Sequence, residues 1–199
     1  MGRIITTASS KGGCSKSAIV MILSANLAAC GYRVAVIDAD PNACYDQWHR
    51  LYEGPPIDCS REIRQEEIVD HAQARAREFE VVLIDTAGFG NTTAAFAAGT
   101  ADMVLIPVMP DRASAVEAMR TARQVQAFGK AGNRQIPFRV VRSRWNPRGH
   151  WWSAPSSATW RRRACRCWAS ISATCPISAS SRCPGRCPCR ESWDRRRAR

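Results

Sequence analysis

This chain predicts an α/β fold in which a mostly parallel sheet is covered by helices on both faces, giving three layers, α/β/α. Three observations carry that reading. Apolar runs of strand length alternate with helical stretches, a glycine-rich loop follows the first run, and two later runs end in aspartate. The 199 residues suffice for one such domain with a substantial core.

Residues 3–8, RIITTA, form the first predicted strand, and a helix follows from Lys16 to Ala29, stopped by Gly31. RVAVIDAD, 33–40, is the second strand. CYDQWHRLYE, 44–53, and REIRQEEIVDHAQARAREF, 61–79, read as helices. EVVLIDTAG, 80–88, is a buried strand, and TTAAFAAG, 92–99, a short helix. DMVLIPV, 102–108, is another strand, SAVEAMRTARQVQAF, 114–128, a helix with apolar groups at helical spacing, and IPFRVVRSR, 136–144, the last strand. No internal repeat and no Gly/Ser linker interrupts the series.

The formal net charge of +12 invites a nucleic-acid reading, but its distribution weakens it. Residues 1–144 carry 17 basic and 15 acidic side chains, whereas residues 145–199 carry 12 and 2. Six of the ten cysteines and six of the seven tryptophans also lie at or beyond residue 145. The predicted domain is therefore residues 1–149, possessing the α/β pattern, and residues 150–199 form an atypical Arg/Cys/Trp-rich tail. A disordered basic tail is one reading of it. A zinc site is disfavoured, because Cys-x-Cys and Cys-x3-Cys-x-Cys do not match structural zinc spacing. The favoured reading is a GC-rich gene translated in a shifted frame: codons for Leu-Val-Glu-Arg, read one nucleotide late, give the Trp-Trp-Ser-Ala found at 151–154. Gene sequencing tests this. Early stops in the alternative frame past codon 149, with no α/β pattern there, would exclude it. On that reading the domain is incomplete at its C-terminal end.

The loop ASSKGGCSKSAIV, residues 8–20, carries the chemistry. A phosphate cradle needs backbone N–H groups aimed at the anion, a helix N-terminus behind it and a lysine for the outer phosphates. The ordinary form, G-x-x-x-x-G-K-[ST], fails here at both glycines, where Ser10 and Ser15 stand. Yet two of only three lysines in the chain, Lys11 and Lys16, lie in this loop. A serine at position 15 costs about 1 kcal/mol if its φ is positive.

The stretch Lys11-Gly12-Gly13-Cys14-Ser15-Lys16-Ser17 resembles the deviant Walker A motif, K-G-G-x-G-K-[ST], of the ParA/MinD family of ATPases. Gly12, Gly13, Lys16, Ser17 and the extra lysine, Lys11, match; Ser15 departs. VAVIDADPNA resembles the family's second motif, EVVLIDTAGFG its Walker B strand and switch, VLIPVMPDRASAVEAMRTARQV its strand-Pro-x-x-Pro-helix segment, and RSRWNPR its base-contacting segment. The likeness covers residues 3 to about 149 and implies a P-loop NTPase-like fold.

It implies site residues as well. Gly12, Gly13, Cys14, Ser15, Lys16, Ser17 and Ala18 would cradle the nucleotide, and Asn146 would contact adenine. Lys16 would meet the phosphates, and Asp40 would orient the attacking water. Lys11 would reach across a dimer to the partner's nucleotide. Ser17, Asp38 and Asp85 would serve Mg²⁺, and Thr86-Ala87-Gly88 would sense the γ-phosphate. Without the loop, Asp-x-Asp-Pro after a strand reads only as a turn with helix capping.

The resemblance further implies an ATPase that binds and slowly hydrolyses ATP with Mg²⁺ as a dimerisation switch. The partition branch, serving plasmid or chromosome segregation, binds DNA non-specifically and meets a ParB-like adaptor. A first strand at residue 3 suits the short partition ATPases, which lack a preceding helix-turn-helix domain. The alternatives are a MinD-like membrane-associated positioning ATPase, a metabolic amidoligase or reductase of the superfamily, and a truncated, frame-shifted nucleotide-binding remnant with little activity. No basic amphipathic helix is legible in the tail for the MinD reading. Cys14, Cys30, Cys44 and Cys59 lack the grouping an intersubunit iron–sulfur cluster needs. No signal peptide or membrane span is visible, so the expected location is cytoplasmic and nucleoid-associated.

Overall fold

A computed structural model of the chain describes residues 1–88 and 92–144. The composition break after residue 149 lies outside them. The elements are β1 (Arg3–Thr7), α1 (Lys16–Ala29), β2 (Val34–Ala39), α2 (Cys44–His49), β3 (Ile57–Arg61), α3 (Ile68–Glu78), β4 (Val81–Thr86), α4 (Thr92–Thr100), β5 (Met103–Val108), α5 (Arg112–Ala131) and β6 (Phe138–Arg142). Six parallel strands pair in the order β3-β2-β4-β1-β5-β6. The chain moves outward from β1 to β2 and β3, returns to insert β4, then continues on the far side with β5 and β6.

Strand periodicity divides the core into the two expected interlayer regions. Val34 and Val36 of β2, with Val81 and Leu83 of β4, face Val20 and Ala28 of α1 and Tyr45 of α2. Their alternates, Ala35, Ile37, Val82 and Ile84, face Ile68 and Ala72 of α3, Ala94 and Ala97 of α4, and Val125 of α5. Strands buried on both sides read as unbroken apolar runs, which is why β2, β4 and β5 were legible. The alanines of α4 fit a helix wedged between α3 and α5.

Helix α1 keeps the predicted bounds. Beyond its last turn Gly31 adopts φ +88°. Its N–H bonds to the Ala28 carbonyl at 2.9 Å, and that of Tyr32 to the Leu27 carbonyl at 3.1 Å. This is a left-handed cap that a side chain would resist.

Three points differ from expectation. Residues 57–61 form β3, where the sequence shows no strand signal. Ile57 is the only residue of this polar edge strand that is buried, so it lacks the apolar signal of an interior strand. The helix expected over 61–79 starts only at Ile68. Before it, Glu62 accepts the Arg64 backbone N–H at 2.9 Å and its guanidinium at 3.2 Å, a local alternative to helical bonding. Helix α2 likewise ends at His49 rather than residue 53. Tighter turns follow, with Leu51 N–H on the Trp48 carbonyl and Tyr52 N–H on that of His49.

Candidate functional site

The C-terminal ends of β1, β2 and β4 converge beside the N-terminus of α1, the usual position for a ligand in a parallel sheet. The loop between β1 and α1 needs two left-handed residues to turn, Gly13 at φ +69° and Ser15 at φ +75°. Serine therefore sits where the backbone favours glycine, as the departure from the motif suggested. Replacing Ser15 with glycine relieves that strain, partly offset by greater unfolded-chain freedom, so a urea denaturation curve should show a gain of up to about 1 kcal/mol. Among the described residues a Cβ on Gly12 or Gly13 would meet nothing within 4 Å, so packing within them requires neither glycine. No side chain caps α1, and its first turn holds no acidic group. The loop thus presents an open cradle backed by free helix N–H groups, a ready anion site.

Lys16 begins α1 and is 91% removed from solvent, at 9% exposure. Ser17 follows it and donates its hydroxyl to Asp85. Asp85 is fully buried at the end of β4 and also accepts the Thr7 hydroxyl at 3.4 Å. Its other oxygen, Oδ2, is buried with no hydrogen-bond partner among the described residues. Burial pushes the Asp85 carboxyl up to about 7; the Ser17 hydroxyl and Lys16 oppose this, while Asp38 and Asp40 add to it.

Asp38 lies directly across from Asp85 in the β2–β4 register, and Arg61 lies across from Asp38 on the other side. Asp38 accepts the backbone N–H of Asp40 at 3.0 Å and of Asp46 at 2.9 Å, fixing the loop into α2. Its carboxyl is also raised, chiefly by burial and against those two bonds. Asp40 accepts both the backbone N–H and the side-chain amide of Asn42 at 2.9 Å, so the turn read from Asp-x-Asp-Pro is present as well.

Lys16, Ser17, Asp38, Asp40 and Asp85 are therefore brought together. Cys14 is buried and its carbonyl accepts the Ser143 hydroxyl at 3.1 Å, tying the end of β6 to the loop. Ala18 lies exposed on the first turn of α1. Gly88 approaches the loop, since a Cβ there would stand 3.8 Å from the Ser10 carbonyl oxygen. Lys11 points elsewhere, with its ammonium 3.2 Å and 3.4 Å from the carboxylate oxygens of Asp111, the N-cap of α5. Asn146 lies outside the described residues.

Sequence reasoning missed Thr7, Thr121, Asp111 and Ser143. Asp111, in the order Asp-x-x-Ser before a helix, carried a capping signal; the others are set by long-range packing.

The orphaned Asp85 oxygen, the Ser17 hydroxyl and the neighbouring Asp38 suit a hard cation with oxygen ligands. Among the described residues no three His, Cys, Asp or Glu side chains group to hold a metal by themselves. That suits Mg²⁺, which takes one or two carboxylates and completes its shell with phosphates and water.

Strand order, loop and aspartates define a P-loop protein of the ParA/MinD type. A family model described as "VirC1 protein" matches residues 2–157, and the chain belongs to that family. A protein named ParA from Rhizobium radiobacter is 30% identical over 139 residues, covering 69% of this chain and 63% of its own length. The chain thus spans less than two thirds of the curated relatives it matches. Among solved structures, apo McdA from Cyanothece superposes with a TM-score of 0.68 at 18% identity, covering 83% of each chain. Cobyrinic acid a,c-diamide synthase from Mycobacterium smegmatis, with bound ADP and magnesium, gives 0.64 at 19% identity, covering 83% of this chain and 82% of that one.

Proposed function

We propose that this chain binds ATP with Mg²⁺ and hydrolyses it slowly, as a dimerisation switch in plasmid or chromosome partition. The carrying observation is buried Asp85, with one unpartnered oxygen, opposite Asp38 and beside a loop whose glycines leave the cradle open. In this reading backbone N–H groups of residues 12–18 and the Lys16 ammonium hold the phosphates. Ser17, Asp85 and Asp38 hold Mg²⁺, which supplies charge neutralisation at the phosphates. Asp40 orients the water, with Asn42 fixing its carboxylate. Lys11 serves the partner's nucleotide, and Asn146 is assigned to adenine.

Charge within the described chain supports non-specific DNA as a partner. Residues 1–111 carry 9 basic and 14 acidic side chains, whereas residues 112–144 carry 8 and 1. Arg112, Arg120, Arg123 and Lys130 lie exposed on α5, and Arg144 is exposed just past β6. One sheet edge is therefore basic although residues 1–144 as a whole are nearly neutral. A ParB-like adaptor and nucleoid-associated cytoplasmic residence complete the proposal. Among the described residues no helix is long and apolar enough to cross a membrane.

Steady-state ATPase assays with plasmid DNA or anionic vesicles test the reading. DNA-stimulated turnover that falls as salt rises is the expected result. Stimulation by vesicles alone selects the MinD-like alternative. Nucleotide binding without turnover under any condition selects the inactive remnant.

A further inference from the structure

The phosphate loop is held from two sides. Ahead of it, the Ser10 hydroxyl lies 3.0 Å from that of buried Thr121 on α5, which also accepts the Ser10 N–H at 3.4 Å. Within it, the Cys14 carbonyl accepts the Ser143 hydroxyl at 3.1 Å, a buried bond between residues 129 positions apart. Ser143 is the fixed partner of the two. Its N–H donates to the Val108 carbonyl at 2.8 Å, carrying the β5–β6 ladder one residue past β6, and its side chain is buried. Cys14, by contrast, stands between the left-handed residues Gly13 and Ser15.

The Cys14–Ser15 peptide is trans, so its carbonyl and the Ser15 N–H point in opposite directions. A bond that draws the carbonyl inward to Ser143 therefore turns the Ser15 N–H away from β6. Among the described residues no acceptor takes that N–H. The loop's own preference runs the other way. Rotating this one peptide plane by half a turn makes the Ser15 φ negative, where serine is unstrained, and turns the carbonyl outward in place of the N–H. A carbonyl oxygen facing the cradle repels an anion. We propose that Ser143 is a positioning residue for phosphate: its hydroxyl holds the Cys14–Ser15 peptide against that flip and keeps the Ser15 N–H facing the ligand. This rests on the reading of the loop as a phosphate cradle.

Isothermal titration of the full chain with Mg²⁺ and either ATP or inorganic tripolyphosphate tests it, beside thermal unfolding of each variant. Ser143→Ala and Ser143→Val should bind both ligands about three- to tenfold more weakly than wild type, the usual worth of one hydrogen bond. Ser143→Thr, which matches Ser143→Val in shape and keeps the hydroxyl, should bind like wild type. In a Ser15→Gly background the loss should shrink below about twofold, because glycine accepts either sign of φ. Equal affinities for Ser143→Val and Ser143→Thr, wild-type affinity in Ser143→Ala, or an undiminished loss beside Ser15→Gly overturns the proposal. So does a loss confined to ATP, or a wild type that takes ATP but no tripolyphosphate, for either puts the affinity on the adenine side with Asn146. Wild type that binds neither ligand removes the cradle reading and this inference with it.

Discussion

Lys16→Ala should lower ATP turnover by on the order of 10²–10³-fold, the usual consequence of removing a single preorganised group that meets charge developing in the transition state. Lys16 is nearly buried at the mouth of α1, and it lowers the acidity shift of Asp85 from within the same cluster. Asp38, Asp40 and Asp85 lie within electrostatic reach of one another beside the loop proposed to hold the triphosphate, and the ammonium is the compensating charge supplied by the loop itself. Without it the repulsion falls on the outer phosphates, where charge accumulates as the bond breaks. Fold stability should move the other way or stay level. An ammonium at a helix N-terminus opposes the helix dipole, and alanine is a better helix former. Turnover measured beside thermal unfolding separates the two effects: a variant that is inactive and well folded is the expected outcome.

Asp85→Asn should change how stability depends on pH. An aspartate of ordinary acidity ionises near 3.8, and burial pushes Asp85 up to about 7. Between those values the folded nucleotide-free protein holds a proton that the unfolded chain has released. Stability from this group is therefore fully present below about pH 4 and is lost as pH rises through about 7. Asparagine removes that slope. At pH 8 the variant should gain on the order of 1–2 kcal/mol, after allowing for a buried amide hydrogen left without an acceptor. A residual slope of the same sign remains from Asp38, whose carboxyl burial also raises. The gain should come with more than tenfold weaker Mg²⁺-dependent nucleotide binding, a site destabilised for function being the familiar trade. Urea midpoints at pH 5 and pH 8 check the first half. Equal slopes in wild type and variant would count against the burial of Asp85.

Much of this was legible in the residues because the fold obeys local rules where it is most buried. The continuous apolar runs of β2, β4 and β5 announced strands covered on both faces, and Gly31 announced the end of α1. The cradle was readable because it is local, contained within ten residues between a strand and a helix. Strand β3 was not, since a polar edge strand presents no alternation that distinguishes it from a loop. Residues 62–67 read as helix by composition, yet the Glu62–Arg64 contacts hold them in another conformation. The latch of Ser10 and Lys11 onto α5 joins residues 111 and 100 positions apart, beyond any motif's reach. The basic edge was hidden for a different reason: averaging over residues 1–144 cancelled it against the acidic excess of residues 1–111.

Isothermal titration of the full chain with ATP, in the presence and absence of Mg²⁺, tests the central claim most directly. One site per chain, strengthened by the cation and lost in both Lys16→Ala and Asp85→Asn, is the predicted result. Folded protein that takes up no adenine nucleotide, or binds it equally well in both variants, would contradict the assignment of the loop and the aspartates.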